Sequence, residues 1–135
     1  MAKITEEMKQ VAGKAKGFAV ATVDKDGTPN VVPIHYAKII SDDEIMLVDN
    51  FMKKTEENLK ANPDKVAVSV WDFDARRGYQ FKGRVRIETS GENFDEGVRI
   101  VKLEKPDVNP KAAIIFKVDS IYITTPGPDA GRKVD

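Results

Sequence analysis

The sequence predicts a mainly β, α+β domain: a small antiparallel barrel with short helices at its rim. Residues 79–88 alternate apolar and polar side chains with the period of two that puts one face of a strand in a core and the other in water. Short runs rich in apolar and β-branched residues are separated by turn signals such as Asp26-Gly27 and Asp42-Asp43. The helical stretches are few and short and show no regular βαβ alternation with the strands, which argues against the order of parallel sheets.

The opening helix starts near Thr5, whose hydroxyl suits an N-cap, and carries Ile4, Met8, Val11 and Ala15 on one face; Gly17 is expected to end it. Residues 18–23 and 30–40 read as a hairpin across Asp26-Gly27. Asp42-Asp43 then turns the chain into residues 44–48, so the first three strands are expected to form a meander. A short helix over 54–61 has only Leu59, Ala61 and the preceding Met52 to bury, and Pro63 stops it. Strand four, residues 66–71, leads through the polar loop 72–77 into the alternating segment, where Tyr79, Phe81, Gly83, Val85 and Ile87 share a face and Gly83 marks a bend or bulge. Ser90 is expected to cap a third helix with the stripe Phe94, Val98 and Val101, ended by Pro106. Two last strands, 112–118 and 121–124, complete a domain over residues 1–125. Residues 126–135 form a tail, rich in Pro, Gly and charge, that either folds over a ligand or is a disordered terminus. A barrel this small fills its interior with side chains, so a ligand has to sit outside it, between elements or between subunits.

Composition narrows the function. At 135 residues one core suffices. Lys and Arg total 22 against 22 Asp and Glu, and the only short basic clusters are Lys53-Lys54, Arg76-Arg77 and Arg132-Lys133; no nucleic-acid partner is expected. The absence of cysteine removes disulfides, thiolate metal sites and thiol nucleophiles, so any redox chemistry has to be carried by a bound cofactor. His35 is the only histidine, which leaves too few ligands for a zinc or transition-metal centre. The first ten residues are charged and helical in pattern and no apolar run is long enough to span a bilayer, so the expectation is a soluble cytoplasmic protein with no membrane partner. There is no Gly-x-Ser-x-Gly elbow to expose a serine nucleophile.

Residues 49–59 carry the most functional information. Lys53, Lys54 and Thr55 stand where a strand gives way to a helix, so ammonium groups, a hydroxyl and free backbone N–H donors converge at a helix N-terminus; these are the parts of a phosphate cradle. The same residues also read as a solvated lysine pair beside an N-cap threonine. His35 reads either as a hydrogen-bonded structural residue or as a ligand contact. Trp71 and Phe73 near Arg76 and Arg77 suit stacking on a flat ligand, on a partner, or closure of the barrel end. With Tyr79 they offer the aromatic anchors of an interface, and a homodimer is expected.

Over roughly residues 12–124 the chain resembles the FMN-binding split-barrel family related to pyridoxamine 5'-phosphate oxidase. The resemblance rests on the order of Phe18-Ala19-Val20-Ala21-Thr22, Asp26-Gly27-Thr28-Pro29-Asn30-Val31-Val32-Pro33, Met52-Lys53-Lys54-Thr55-Glu56-Glu57-Asn58-Leu59 and Gly78-Tyr79-Gln80-Phe81-Lys82-Gly83. It implies a split barrel that binds FMN, with Val32, Pro33, Ile34 and His35 along the ring, Lys53, Lys54 and Thr55 at the phosphate, and Val48, Asp49 and Asn50 between them. It further implies a site completed by a second subunit, for which Trp71, Tyr79 and Gln80 are the candidates. The oxidase branch uses an arginine and a histidine near the C-terminus to engage its vitamin B6 substrate, and this chain has no histidine after His35. The function so implied is electron or hydride transfer with a small-molecule substrate or redox partner, whether or not the protein is an enzyme. The alternatives are a non-enzymatic protein that stores or senses a flavin or deazaflavin, and a dimerisation module with an empty groove.

Overall fold

Eight strands and three helices form within residues 2–134, the part of the chain that the structure, a computed structural model, describes. In chain order they are α1 (Glu6–Lys14), β1 (Phe18–Val23), β2 (Pro29–Ile34), β3 (Ala37–Ile39), β4 (Glu44–Asp49), α2 (Lys54–Ala61), β5 (Val66–Asp72), β6 (Arg77–Glu88), α3 (Glu92–Glu104), β7 (Ala112–Ile123) and β8 (Lys133–Val134). The sheet runs β2-β1-β5-β6-β7-β4-β3 with every neighbour antiparallel, and β8 adds to the end of β7. The two edge strands of that path, β2 and β3, are separated in the chain by only His35 and Tyr36, so the edges have to meet and the sheet has to curl. This is the split antiparallel barrel with short helices that the sequence predicts.

The interior follows from the alternation. Val20, Ile45, Leu47, Val68, Val70, Phe81, Ile114, Phe116 and Ile121 fill the barrel, and Ile4, Met8, Val11 and Ala12 of the α1 region close one end. Thr5 caps α1 as expected, accepting from the Met8 amide at 3.3 Å. On the other side of β4 and β7, Met46, Val48, Ala113 and Ile115 form a second cluster with Val101 of α3. Asn58 of α2 is buried and donates to Thr22 Oγ1 at 3.0 Å, which pins the short helix to β1. No helix among the described residues is long and apolar enough to cross a membrane.

Several local expectations are corrected. Residues 30–40 are not one strand and the first three strands are not a meander: the run breaks at His35, β2 pairs β1, and β3 pairs β4 at the opposite edge. Pro29 and Pro33 remove two donors from β2, which suits a strand with a partner on one side only. α1 ends at Lys14, before Gly17. Ser90 does not cap α3; the cap position is Gly91, at φ 99°, where glycine lacks the steric penalty of other residues. The face of α3 turned to the sheet includes Gly97 and Val101, with Val98 only half-buried. A Cβ on Gly97 would stand 3.3 Å from Val48 Cγ2, so glycine is what lets helix and sheet approach. The two expected last strands are one continuous β7. Its pairing with β6 shifts between Lys82 and Gly83, where Asp119 is the extra residue, so the irregularity expected at Gly83 is present. The tail turns back so that Lys133 and Val134 pair with Tyr122 and Ile121.

Candidate functional site

Where β2 gives way to β3 and β4 gives way to α2, the chain leaves an open groove of about 490 Å³, within the usual range for small-molecule sites. One wall is Asn30, Val32, Pro33 and Ile34, continuing into His35 and Tyr36; the other is Val48, Asn50, Phe51 and Met52, and Lys53, Lys54 and Thr55 close one end. Lys105 and Val108, from the end of α3 and the loop after it, complete the lining. Of the residues singled out in the sequence, the groove brings together Val32, Pro33, Ile34, His35, Val48, Asn50, Lys53, Lys54 and Thr55.

The lysine-threonine end is built on a turn and a helix start. Asp49 is buried at the end of β4 and its Oδ1 accepts the Met52 amide at 2.9 Å, closing the turn that presents Asn50 and Phe51. Lys53 occupies the cap position of α2 and no side chain caps the helix, while the first-turn amides have no intrahelical acceptor. Thr55 therefore lies inside the helix and is not its cap. It is buried, and its Oγ1 accepts from Asn30 Nδ2 at 3.3 Å, which leaves its own proton to be donated. Lys54 Nζ stands 3.9 Å from Asp24 and 3.8 Å from Glu57, loose pairs that leave the ammonium available to an anion.

Further along the groove two polar atoms are buried without a hydrogen-bond partner, the Tyr36 hydroxyl and Asn50 Oδ1, and both belong to groove-lining residues. An unpaired buried polar atom costs free energy that a ligand group can return. Burial raises the Tyr36 hydroxyl pKa above the ordinary value, and the Glu104 carboxylate, an acceptor close to this hydroxyl but short of a well-formed hydrogen bond with it, raises it further, so this group stays protonated and is a donor. His35 is exposed at the mouth, with Nδ1 3.3 Å from the Lys16 carbonyl oxygen and Nε2 3.5 Å from Glu104 Oε2. Its ring meets the Tyr36 ring edge-on, centroids 4.7 Å apart.

Four candidates lie elsewhere in this chain. Asp49 sits behind the turn and does not line the groove; burial, the largest influence, pushes its carboxyl pKa up. Trp71 lies at the end of β5 beside Phe73, over a second groove of about 500 Å³ that shares Pro33 with the first. Tyr79 is buried in its own barrel core, and Gln80 is half-buried on β6 opposite Ser69 and Tyr122. Sequence reasoning missed Asn30, Tyr36, Phe51, Met52, Lys105 and Val108. Asn30 was legible, since it shares the strand face of Val32 and Ile34; Lys105 and Val108 arrive through the packing of α3, for which no local pattern exists.

Comparison with known proteins places these features in context. The family model described as pyridoxamine 5'-phosphate oxidase matches residues 4–125. An uncharacterized protein of Methanocaldococcus jannaschii is 36% identical over 134 residues, covering 98% of this chain and 88% of its own. The crystal structure of HupZ from Group A Streptococcus has a TM-score of 0.81 at 29% identity, covering 95% of this chain and 99% of that one. An FMN-binding protein from Syntrophomonas wolfei shares the fold, with a TM-score of 0.68 at 22% identity, covering 85% of this chain and 86% of that one.

Proposed function

Because the chain belongs to the pyridoxamine 5'-phosphate oxidase family, we propose that the groove between β2 and the start of α2 binds FMN and that the protein acts as a flavin-dependent redox protein. The observation that carries this reading is the coincidence, in one groove, of two unpartnered buried polar atoms with an uncapped helix start bearing Lys53, Lys54 and Thr55. The residues present fit the group: a dianionic phosphate matches the ammonium groups, the Thr55 hydroxyl and the free first-turn amides. The apolar side chains of Val32, Ile34, Val48 and Val108 suit a flat ring, and the Tyr36 hydroxyl and Asn50 Oδ1 offer a donor and an acceptor to polar ring atoms.

Bound FMN supplies one- and two-electron transfer, which no side chain of this cysteine-free protein offers. The chain's own residues bind and orient it: the lysines neutralise the phosphate, Val32–Ile34 exclude water from one face of the ring, and His35 stands beside Glu104 at the groove mouth. In this reading a second copy of the chain completes the site. Exposed Trp71 and Phe73 support it, because Pro33 lines both their groove and this one, and Val31, on the same face of β2 as Pro33, is exposed as well. A second reading, in which the protein holds a flavin or deazaflavin without turning over a substrate, uses the same groove.

The test is titration of the protein with FMN and with riboflavin, followed by absorbance and by flavin fluorescence. FMN is expected to bind more tightly, and Lys54→Ala to lose about ten-fold in FMN affinity with riboflavin unchanged. That is the low end for a charge-assisted hydrogen bond because Lys54 is half-exposed. Equal losses for both ligands would place the phosphate elsewhere. Light scattering is expected to give twice the 15.0 kDa chain mass, and bleaching of the bound flavin by a nicotinamide nucleotide separates the redox reading from storage.

A further inference from the structure

The phosphate end of the groove is held from behind by a cluster whose side chains do not line it. Lys111 immediately precedes β7, and its backbone N–H donates to the Asp49 carbonyl at 2.7 Å, which fixes it beside the end of β4. From there its Nζ donates to the Met52 carbonyl at 2.6 Å and to Glu56 Oε2 at 2.9 Å, and it stands 3.7 Å from Asp49 Oδ1. That same Oδ1 accepts the Met52 amide at 2.9 Å. Both backbone polar groups of Met52, the residue before Lys53, are thus tied to one cluster, and Lys60 completes it by donating to Glu56 Oε1 at 3.1 Å.

We propose that Lys111 is a positioning residue for the anion-binding end of the groove: by clasping the Met52 carbonyl to Glu56 and Asp49 it sets where Lys53, Lys54 and Thr55 stand, without itself touching the ligand. The inference rests on the FMN reading of the groove. Two further observations support it. Lys111 is the one cation within 4 Å of the buried Asp49 among the described residues, so its removal leaves a buried carboxylate facing the Glu56 carboxylate. Hydrogen bonds from Lys111 and then Lys60 hold the Glu56 carboxyl at about 2, so Glu56 is ionised and the clasp charged at neutral pH. Besides the clasp, the helix bond from Glu57 N–H to the Lys53 carbonyl and the direct interaction of the Asp49 and Glu56 carboxyls hold the turn to the first turn of α2.

The experiment compares FMN and riboflavin dissociation constants for the wild type, Lys111→Met and Lys111→Arg, with an unfolding midpoint for each protein. Lys111→Met is expected to lose about ten-fold in FMN affinity, the scale of removing an outer-layer partner from a binding site, while riboflavin affinity changes by less than roughly two-fold. Lys111→Arg keeps the charge and can still donate to two acceptors at once, and is expected to restore most of the preference. In the ligand-free protein, hydrogen exchange at the Met52 amide is expected to accelerate in Lys111→Met while the paired amides of β5 and β6 keep their protection. Equal weakening of both ligands, or an undiminished FMN preference in Lys111→Met, overturns the proposal. If the wild type shows no FMN preference, the FMN reading falls and this one with it; a wild-type preference that survives in Lys111→Met removes this one alone. Should Lys111→Met not fold, Lys111→Gln, which keeps a donor for the Met52 carbonyl but no charge, is judged by the same two outcomes.

Discussion

Replacing Thr55 with valine removes one hydroxyl from the groove while keeping the shape of the side chain. In the free protein the change costs little: the only bond lost is the 3.3 Å contact from Asn30 Nδ2, a neutral pair whose half-buried donor can turn to water. A loss of about 0.5–1 kcal/mol is expected, and no cap energy is involved because Lys53, not Thr55, occupies the cap position. With FMN present the same change removes a hydroxyl donor to a charged phosphate, worth about 1.5–3 kcal/mol, or one to two powers of ten in affinity. The two effects separate because only the second requires the phosphate. Fluorescence titration of Thr55→Val with FMN and with riboflavin, beside a thermal melt without ligand, measures both. FMN affinity is expected to fall by that factor while riboflavin stays within about two-fold, and Thr55→Ser is expected to keep most of the FMN affinity. A valine variant with unchanged FMN affinity, or one that weakens both ligands equally, refutes the assignment of this hydroxyl to the phosphate.

Gly83→Ala is expected to destabilise the barrel by about 3 kcal/mol, since a Cβ there would overlap the Lys117 carbonyl oxygen and stand 3.2 Å from Phe116 Cζ; a urea midpoint close to the wild type's would show that the strands can part. The Glu56 carboxyl lies at about 2 in the folded protein against an ordinary 4.5, so the stability it contributes is fully present above about pH 4.5 and is lost as pH falls toward 2. Asp49 works in the opposite sense, its raised carboxyl easing the folded state as it protonates. Glu56→Gln is therefore expected to flatten the acid limb of a stability–pH curve between those values, and an unaltered limb would refute the ion cluster. His35→Ala is expected to leave flavin content and fold intact, because the imidazole is exposed and its contacts are at 3.3 and 3.5 Å; normal flavin content with all turnover lost would instead make it a proton donor.

What the sequence made legible was whatever local pattern dictates. The β6 alternation, the Asp26-Gly27 turn with Gly27 at φ 86°, the α2 boundaries and the Thr5 cap all depend on residues within a few positions of one another. The errors arise where distant packing decides. Nothing near Ile34 announces that the strand must break so that β3 can join β4 across the barrel, and Asp119 looks like a turn until β6 is placed beside it to absorb one extra residue. Gly91 took the role expected of Ser90 because a backbone at positive φ can start a helix where a side-chain acceptor is not used. The candidate site divides the same way: Lys53, Lys54 and Thr55 are consecutive and visible, whereas the Tyr36 hydroxyl and the Lys111 clasp exist only once α3 and β7 have docked.

The strand order also has a consequence for how the protein is made. As the chain leaves the ribosome it can form the β1–β2 and β3–β4 hairpins early, because each pairs residues close in sequence. Each hairpin then waits with an open edge. β1 acquires its second neighbour when β5 emerges, but β4 finds none until β7, which alone joins the β1–β5–β6 side to the β3–β4 side. The late strand is thus the keystone of the barrel. A nascent chain halted before residue 112 would hold two unjoined sheets with bare edges, the kind of surface that invites pairing with a neighbouring chain. Lys111, which bonds the turn after β4, arrives at that same moment, one residue ahead of β7, so barrel closure and completion of that turn are expected to coincide in biosynthesis.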